Sequence, residues 1–224
     1  IPAIEFSVQS KTETHILGYF IDYNNEELRQ LLKEVVDLRI HRNHVTTQKL
    51  NELGFDITLE EVRALAPNNF VGRAHFARVL MDKGYIQSVK EGFEKYMSVG
   101  KYAYCEKQRL TARDAVEIIE KCGGISFLAH PHLTKLSDDE LKEFLLELKG
   151  YGLCGIEGYY TDYTPDMEVR YRAMAKELGL VISGGTDYHG ANKPHIAIGK
   201  GRGELEIPYS VLDGLRQRHN EIYK

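Results

Sequence analysis

The chain has 224 residues, enough to bury one large or two small hydrophobic cores, and its 29 basic and 33 acidic residues leave a formal net charge of -4. That balance excludes a general polyanion surface, so long duplex nucleic acid is not an expected partner and any nucleotide would be met in a local pocket. Cys105, Cys122 and Cys154 are widely spaced with no CxxC, and no apolar run approaches the ~18 residues of a membrane span; free thiols, a cytoplasmic location and no membrane partner are expected.

In chain order, alternating and β-branched residues predict strands at 4–8 and 15–21, a hairpin-like pair joined by the polar stretch 9–14. Leu28, Leu31, Leu32, Val35 and Leu38 at helical spacing predict a long helix over 25–53, with Asn25 as N-cap and Gly54 just past its end. Thr58 with Glu61, and Ser88 with Glu91, fit the capping box, so residues 25 to about 100 are expected to be mostly helical. From Thr111 helix and strand alternate: helix 112–121, strand 125–128, helix 137–149 boxed by Ser137 and Glu140, strand 154–160, helix 165–178 and strand 180–183. Such alternation predicts parallel strands with right-handed crossovers. The helical block is thus an insertion in an α/β body, with 1–24 and 105–224 as the body and 25–104 as the cap.

Two short segments carry chemistry. His130, in Phe127-Leu-Ala-His130-Pro131-His132, and Asp187 with His189, in Ser183-Gly-Gly-Thr-Asp187-Tyr-His189-Gly190, each follow a run that reads as a buried strand. Imidazole and carboxylate are ligands of Zn, Mn and Fe, and loops at the carboxyl ends of parallel strands are where α/β enzymes place their sites. Either segment alone could cap an ordinary turn, but two in successive βα units point to a metal site. Glu157 ends another strand and is expected to orient a metal-binding imidazole through its other ring nitrogen.

Ile1-Pro-Ala-Ile-Glu5-Phe-Ser7, His15-Ile-Leu-Gly18-Tyr, Gly72-Arg73-Ala-His75-Phe-Ala77, Gly100-Lys101, Ser126-Phe-Leu-Ala-His130-Pro131 and Gly185-Thr-Asp187-Tyr-His189 together resemble the PHP (polymerase and histidinol phosphatase) superfamily. They most resemble its TrpH/YciV-like metal-dependent phosphoesterases. The resemblance implies a distorted (β/α)7 barrel with an inserted helical cap and two or three divalent metal ions, Mn first, with Zn, Fe or Mg as alternatives. It implies Glu5 as a bridging ligand and His15, His130, Asp187 and His189 as further ligands. Arg73, His75 and Lys101 would bind substrate phosphate, and Asp187, His189 and Arg73 would act in catalysis.

The implied activity is hydrolysis of a phosphomonoester or terminal phosphodiester of a small nucleotide or short oligonucleotide. A histidinol-phosphatase-like enzyme and a non-catalytic truncated module that binds nucleotide or a partner stay open. The family's N-terminal His-x-His and Asp-His segments do not occur here. A βα unit takes about 30 residues, so roughly 60 residues of the family domain are expected to lie outside this chain. On its own the chain is then expected to be catalytically poor, to hold metal weakly and to self-associate through exposed barrel edges.

Overall fold

In the computed structural model, which describes residues 1–66, 70–106, 108–190 and 193–224, the chain divides into two units, Ile1–Arg29 with Arg109–Lys224 and Gln30–Gln108. The first unit is mixed α/β, built on one five-stranded sheet in the order β1 (Ala3–Ser7), β2 (His15–Tyr19), β3 (Ile125–Leu128), β4 (Gly155–Tyr160), β5 (Val181–Gly185). β1 pairs antiparallel with β2 and β2 antiparallel with β3, whereas β3, β4 and β5 run parallel, as the helix–strand alternation after Thr111 requires. All of β3 and β4 is buried, in keeping with the continuous apolar runs of strands covered on both faces.

Because β2 runs against β3, its first residue lies beside the carboxyl end of β3: Ile16 pairs with Leu128, and the Ala129 amide donates to the His15 carbonyl at 3.0 Å. α5 (Ala112–Lys121) buries Ala115, Val116, Ile118 and Ile119, and packs on the sheet where Gly18 carries no side chain; a Cβ there would lie 2.7 Å from Ile119 Cγ1. α6 (Asp138–Gly150) and α7 (Pro165–Glu177) form the later crossovers, α6 opening on the reciprocal Ser137–Glu140 cap. α8 (Tyr209–Tyr223), which the expectations above do not include, places Leu215 against Ile125, Phe127 and Cys154. Val211 and Leu215 of α8 are buried, and with Leu212 and Ile222 they stand at helical spacing, although its N-cap, Pro208, offers no side-chain hydrogen bond.

Between β4 and β5 the register shifts: Glu157 pairs with Ser183, but Tyr159 pairs with Gly184, leaving Gly158 as the extra residue. A bulge of this kind re-aims the side chains beyond it. Tyr159 Oη consequently accepts from Arg172 of α7 at 2.8 Å, while Tyr160 reaches Asp187.

The second unit holds most of α1 (Glu26–Glu52), then α2 (Leu59–Ala64), α3 (Arg73–Asp82), α4 (Val89–Gly92) and a π-helical turn, Phe93–Met97. Leu50, Ile57, Val62, Phe76, Leu80 and Met97 form its core. Asn25 caps α1 by accepting from the Leu28 amide at 3.1 Å, and Gly54, at φ 88°, lies just past its end. Thr58 and Glu61 form the full reciprocal cap of α2. Ser88 and Glu91 form only half of one: Ser88 Oγ accepts from Glu91, but the Glu91 carboxylate reaches past the cap to the Gln87 amide at 2.7 Å.

Candidate metal centre

The hairpin register puts Glu5 opposite Leu17 and Ser7 opposite His15, and side chains two residues apart on a strand share a face. Glu5 and His15 are therefore diagonal neighbours on one face, and His15 Nδ1 meets Glu5 Oε1 at 2.7 Å. His130, just past β3, brings Nε2 to the same oxygen at 3.1 Å. The two imidazoles meet edge to face with centroids 4.9 Å apart. One donor atom from each of Glu5, His15 and His130 lies within 4.8 Å of the others.

The electrostatics follow from that contact. Burial alone would push the Glu5 carboxyl up, but hydrogen bonds and charge from His130 and His15 bring it down to about 2. Burial works against the His130 imidazolium too, and is outweighed by the Glu5 hydrogen bond and the charges of Glu157, Glu5 and Asp187, which raise it. The buried His130 Nδ1 has no protein partner among the described residues. Two imidazoles and a carboxylate converging from three strands or strand ends, one of them with an unpaired buried nitrogen, suit a divalent cation of the Zn, Mn or Fe type.

Asp187 and His189 form a second group. Asp187 Oδ1 lies 3.1 Å from His189 Nδ1, and Asp187 Oδ2 accepts from Tyr160 Oη at 3.0 Å and Lys193 Nζ at 2.6 Å. The Tyr160 ring, in turn, lies 5.6 Å from that of His130, so one tyrosine touches both groups. The structure thus gathers Glu5, His15 and His130 around one point and leaves Asp187 and His189 paired beside them. Neither the Tyr160 hydrogen bond nor Lys193 was foreseen; Tyr160 could have been found from the strand end it occupies, whereas nothing in the local pattern marks Lys193.

Glu157 does not do what the sequence suggested. Its carboxylate accepts from the backbone amide of His130, at 2.6 Å, and touches neither ring nitrogen. His130 sits at φ 26°, ψ 61°, a left-handed conformation that costs a residue with a Cβ about 1–2 kcal/mol. An intramolecular hydrogen bond contributes about 0.5–1.5 kcal/mol net, so this contact offsets part of the strain. Asp187 is left-handed as well, at φ 50°, and backbone strain of this kind collects at functional sites.

Burial raises the Glu157 carboxyl from 4.5 to about 7, against the His130 amide hydrogen bond and with help from the charges of Glu5 and Asp187. A folded value above the unfolded one gives stability that is complete below pH 4.5 and lost as the pH rises through 7. With chelator present, the unfolding free energy of the wild type is expected to fall relative to Glu157→Gln from about pH 5 to about pH 8, by on the order of 3 kcal/mol. Parallel profiles for the two proteins would contradict this.

Arg73, His75 and Lys101 belong to the second unit. Arg73 donates to the Met97 carbonyl at 2.9 Å and lies over the Phe93 and Tyr104 rings, 5.2 and 5.7 Å from their centroids. Burial and the nearby Arg73 charge push the Arg42 guanidinium down, so two cationic groups are held together there. His75 Nδ1 accepts from the Gly72 amide at 3.0 Å at the start of α3, and Lys101 is exposed.

No family model matches the chain. It is similar to the 5'-3' exoribonuclease Rnm of Escherichia coli, with 30% identity over 212 residues that cover 94% of the chain and 71% of the relative. The 3',5'-nucleoside bisphosphate phosphatase of Chromobacterium violaceum is 29% identical over 83% of the chain and 66% of its own length. Among solved structures, an amidohydrolase from Chromobacterium violaceum with bound sulfate and no metal superposes with a TM-score of 0.70 at 25% identity, covering 98% of this chain and 76% of that one. A phosphoesterase structure from Bifidobacterium adolescentis shares the fold, with a TM-score of 0.68 at 23% identity over 95% of this chain and 74% of that one.

Proposed function

Because the chain belongs to the PHP superfamily, in its TrpH/YciV-like branch of metal-dependent phosphoesterases, we propose that it hydrolyses a phosphomonoester or terminal phosphodiester of a small nucleotide or short oligonucleotide at the Glu5–His15–His130 centre. The observation that carries this is the single Glu5 oxygen approached by imidazoles from β2 and from the end of β3. Relatives that act on RNA ends and on nucleoside bisphosphates support the substrate class.

Glu5, His15 and His130 would hold the cations, with Asp187 and His189 completing the shell. Mn²⁺ is the proposed working metal, because a His-rich set suits it better than Mg²⁺. Divalent cations in the centre supply Lewis-acid polarisation of the phosphoryl oxygens. Glu5 and Asp187 supply the negative charge that retains them. His189 would carry the proton to the leaving alkoxide. Arg73 would grip two non-bridging oxygens with its planar fork, and Lys101 would add a point charge. His75, whose Nδ1 is committed to Gly72, would act through Nε2. In this proposal the sheet is part of a distorted (β/α)7 barrel, residues 25–104 form its cap, and the outer edges of β1 and β5 are where self-association would occur. No described helix is long and apolar enough to cross a membrane.

The test is hydrolysis by Mn²⁺-loaded full-length protein of 3',5'-nucleoside bisphosphates, 5'-phosphorylated di- and trinucleotides, and duplex RNA as control. Metal-dependent release of phosphate or mononucleotide from the first two, lost in chelator and restored by Mn²⁺, is expected. Tight Mn²⁺ binding without hydrolysis of any substrate would favour the non-catalytic module. Arg73→Ala is expected to lower kcat/KM about 10- to 100-fold, the worth of one charge-assisted contact, with bound metal unchanged. Lower metal content in that variant would make Arg73 structural.

A further inference from the structure

Imidazoles that bind metals are ordinarily oriented by a hydrogen bond from the other ring nitrogen to a carboxylate, carbonyl or water. Among the described residues His130 has no such partner: Nε2 faces Glu5, and the buried Nδ1 is unpaired. Beyond its edge contacts with the His15 and Tyr160 rings, the direction of the ring is set by its backbone, which stands at φ 26° and is held at its amide by Glu157. We propose that Glu157 is a positioning residue for the metal centre: its carboxylate fixes the His130 amide and, through the backbone, aims the imidazole at Glu5.

The sheet is built to hold that carboxylate still. Glu157 is only 4% exposed. Its own carbonyl accepts from Tyr163 Oη at 3.2 Å, and the Gly158 bulge follows directly. On the neighbouring strand the space for Oε1 exists because residue 185 is glycine; a Cβ there would lie 3.0 Å from it. Three independent features thus converge on one side chain that binds no imidazole. The clamp acts on the ring from behind, so it sets the geometry of a ligand without competing with that ligand for the cation.

The proposal rests on the metal-centre assignment made above, and the experiment separates the two. Glu157→Gln keeps an oxygen that accepts from the His130 amide; Glu157→Leu removes it. Folding of each variant is checked by circular dichroism in chelator. Hydrogen exchange of the peptide that contains His130, also in chelator, should be slow in wild type and Glu157→Gln and fast in Glu157→Leu. In Mn²⁺ titrations, Glu157→Leu should bind about 10- to 100-fold more weakly, with Glu157→Gln within threefold of wild type. Equal losses in both variants would mean that Glu157 acts through its charge, overturning the clamp while leaving the metal centre standing. No loss in either, or unchanged exchange in Glu157→Leu, would overturn it as well. Wild-type protein that binds no Mn²⁺ would overturn the metal centre and the clamp together.

Discussion

Asp187→Asn is expected to cut phosphoester turnover on the order of a thousandfold while leaving the fold intact. Asp187 is the one carboxylate of the second ligand pair, its oxygens divided between His189 on one side and Tyr160 with Lys193 on the other. Asn reproduces the shape but carries no charge and replaces one oxygen with a donor, so Lys193 and His189 both face a neutral amide instead of a carboxylate. Lys193 would remain beside the centre as an uncompensated cation and oppose metal entry. A cation contributes several kcal/mol of transition-state charge stabilisation, and about 4 kcal/mol corresponds to three decades of rate. Turnover, bound metal and the unfolding midpoint in chelator are the three measurements. A variant with wild-type rate and metal content would remove Asp187 from the site.

Gly155→Ala is expected to destabilise the protein by about 3 kcal/mol or more, at the upper end of what overpacking a core costs. Gly155 opens β4 between two parallel neighbours, paired with Phe127 on one side and Val181 on the other. A Cβ would overlap both the Phe127 ring and the Val181 carbonyl. The ring could turn away, but the carbonyl is backbone, so relief requires the strands to separate. Gly150, at the end of α6, has nothing within 4 Å of an added Cβ and an ordinary φ, and is the matched control. Gly150→Ala should be neutral or stabilising by about 0.5–1 kcal/mol, while Gly155→Ala lowers the unfolding midpoint by about 6–12 °C. Equal midpoints for the two variants would show that the sheet accommodates the methyl group.

The parallel strands could be read because β3, β4 and β5 are short apolar runs bounded by glycines, and the long helix because Asn25 and Gly54 punctuate it. α8 was legible too, in the helical spacing of Val211, Leu212, Leu215 and Ile222, and the expectations that ended at strand 180–183 missed it. At the site, residue types and strand ends pointed to His130, Asp187 and His189, whereas Glu5, His15, Arg73, His75 and Lys101 were legible only through resemblance. Glu157 shows where such inference stops. Its place at a strand end was readable, but whether it would meet a ring nitrogen or a backbone amide depends on φ at His130, which no spacing encodes. Likewise the Ser88–Glu91 spacing fits a reciprocal cap, and a one-residue difference in where the carboxylate lands decides otherwise.

Glu5 and His15 occupy the two arms of one hairpin, and this makes strand alignment and cation affinity a single variable. Sliding β1 by one residue against β2 would turn Glu5 to the opposite face, leaving His15 without its partner. A cation held between them would act as a register pin, selecting one alignment of the hairpin from its neighbours. The polar loop 9–14 is relieved of that duty. Residues 10–13, between the Gln9 amide bound to Leu110 and the buried Thr14, would be free to change in length and composition so long as the two arms return to the same rungs.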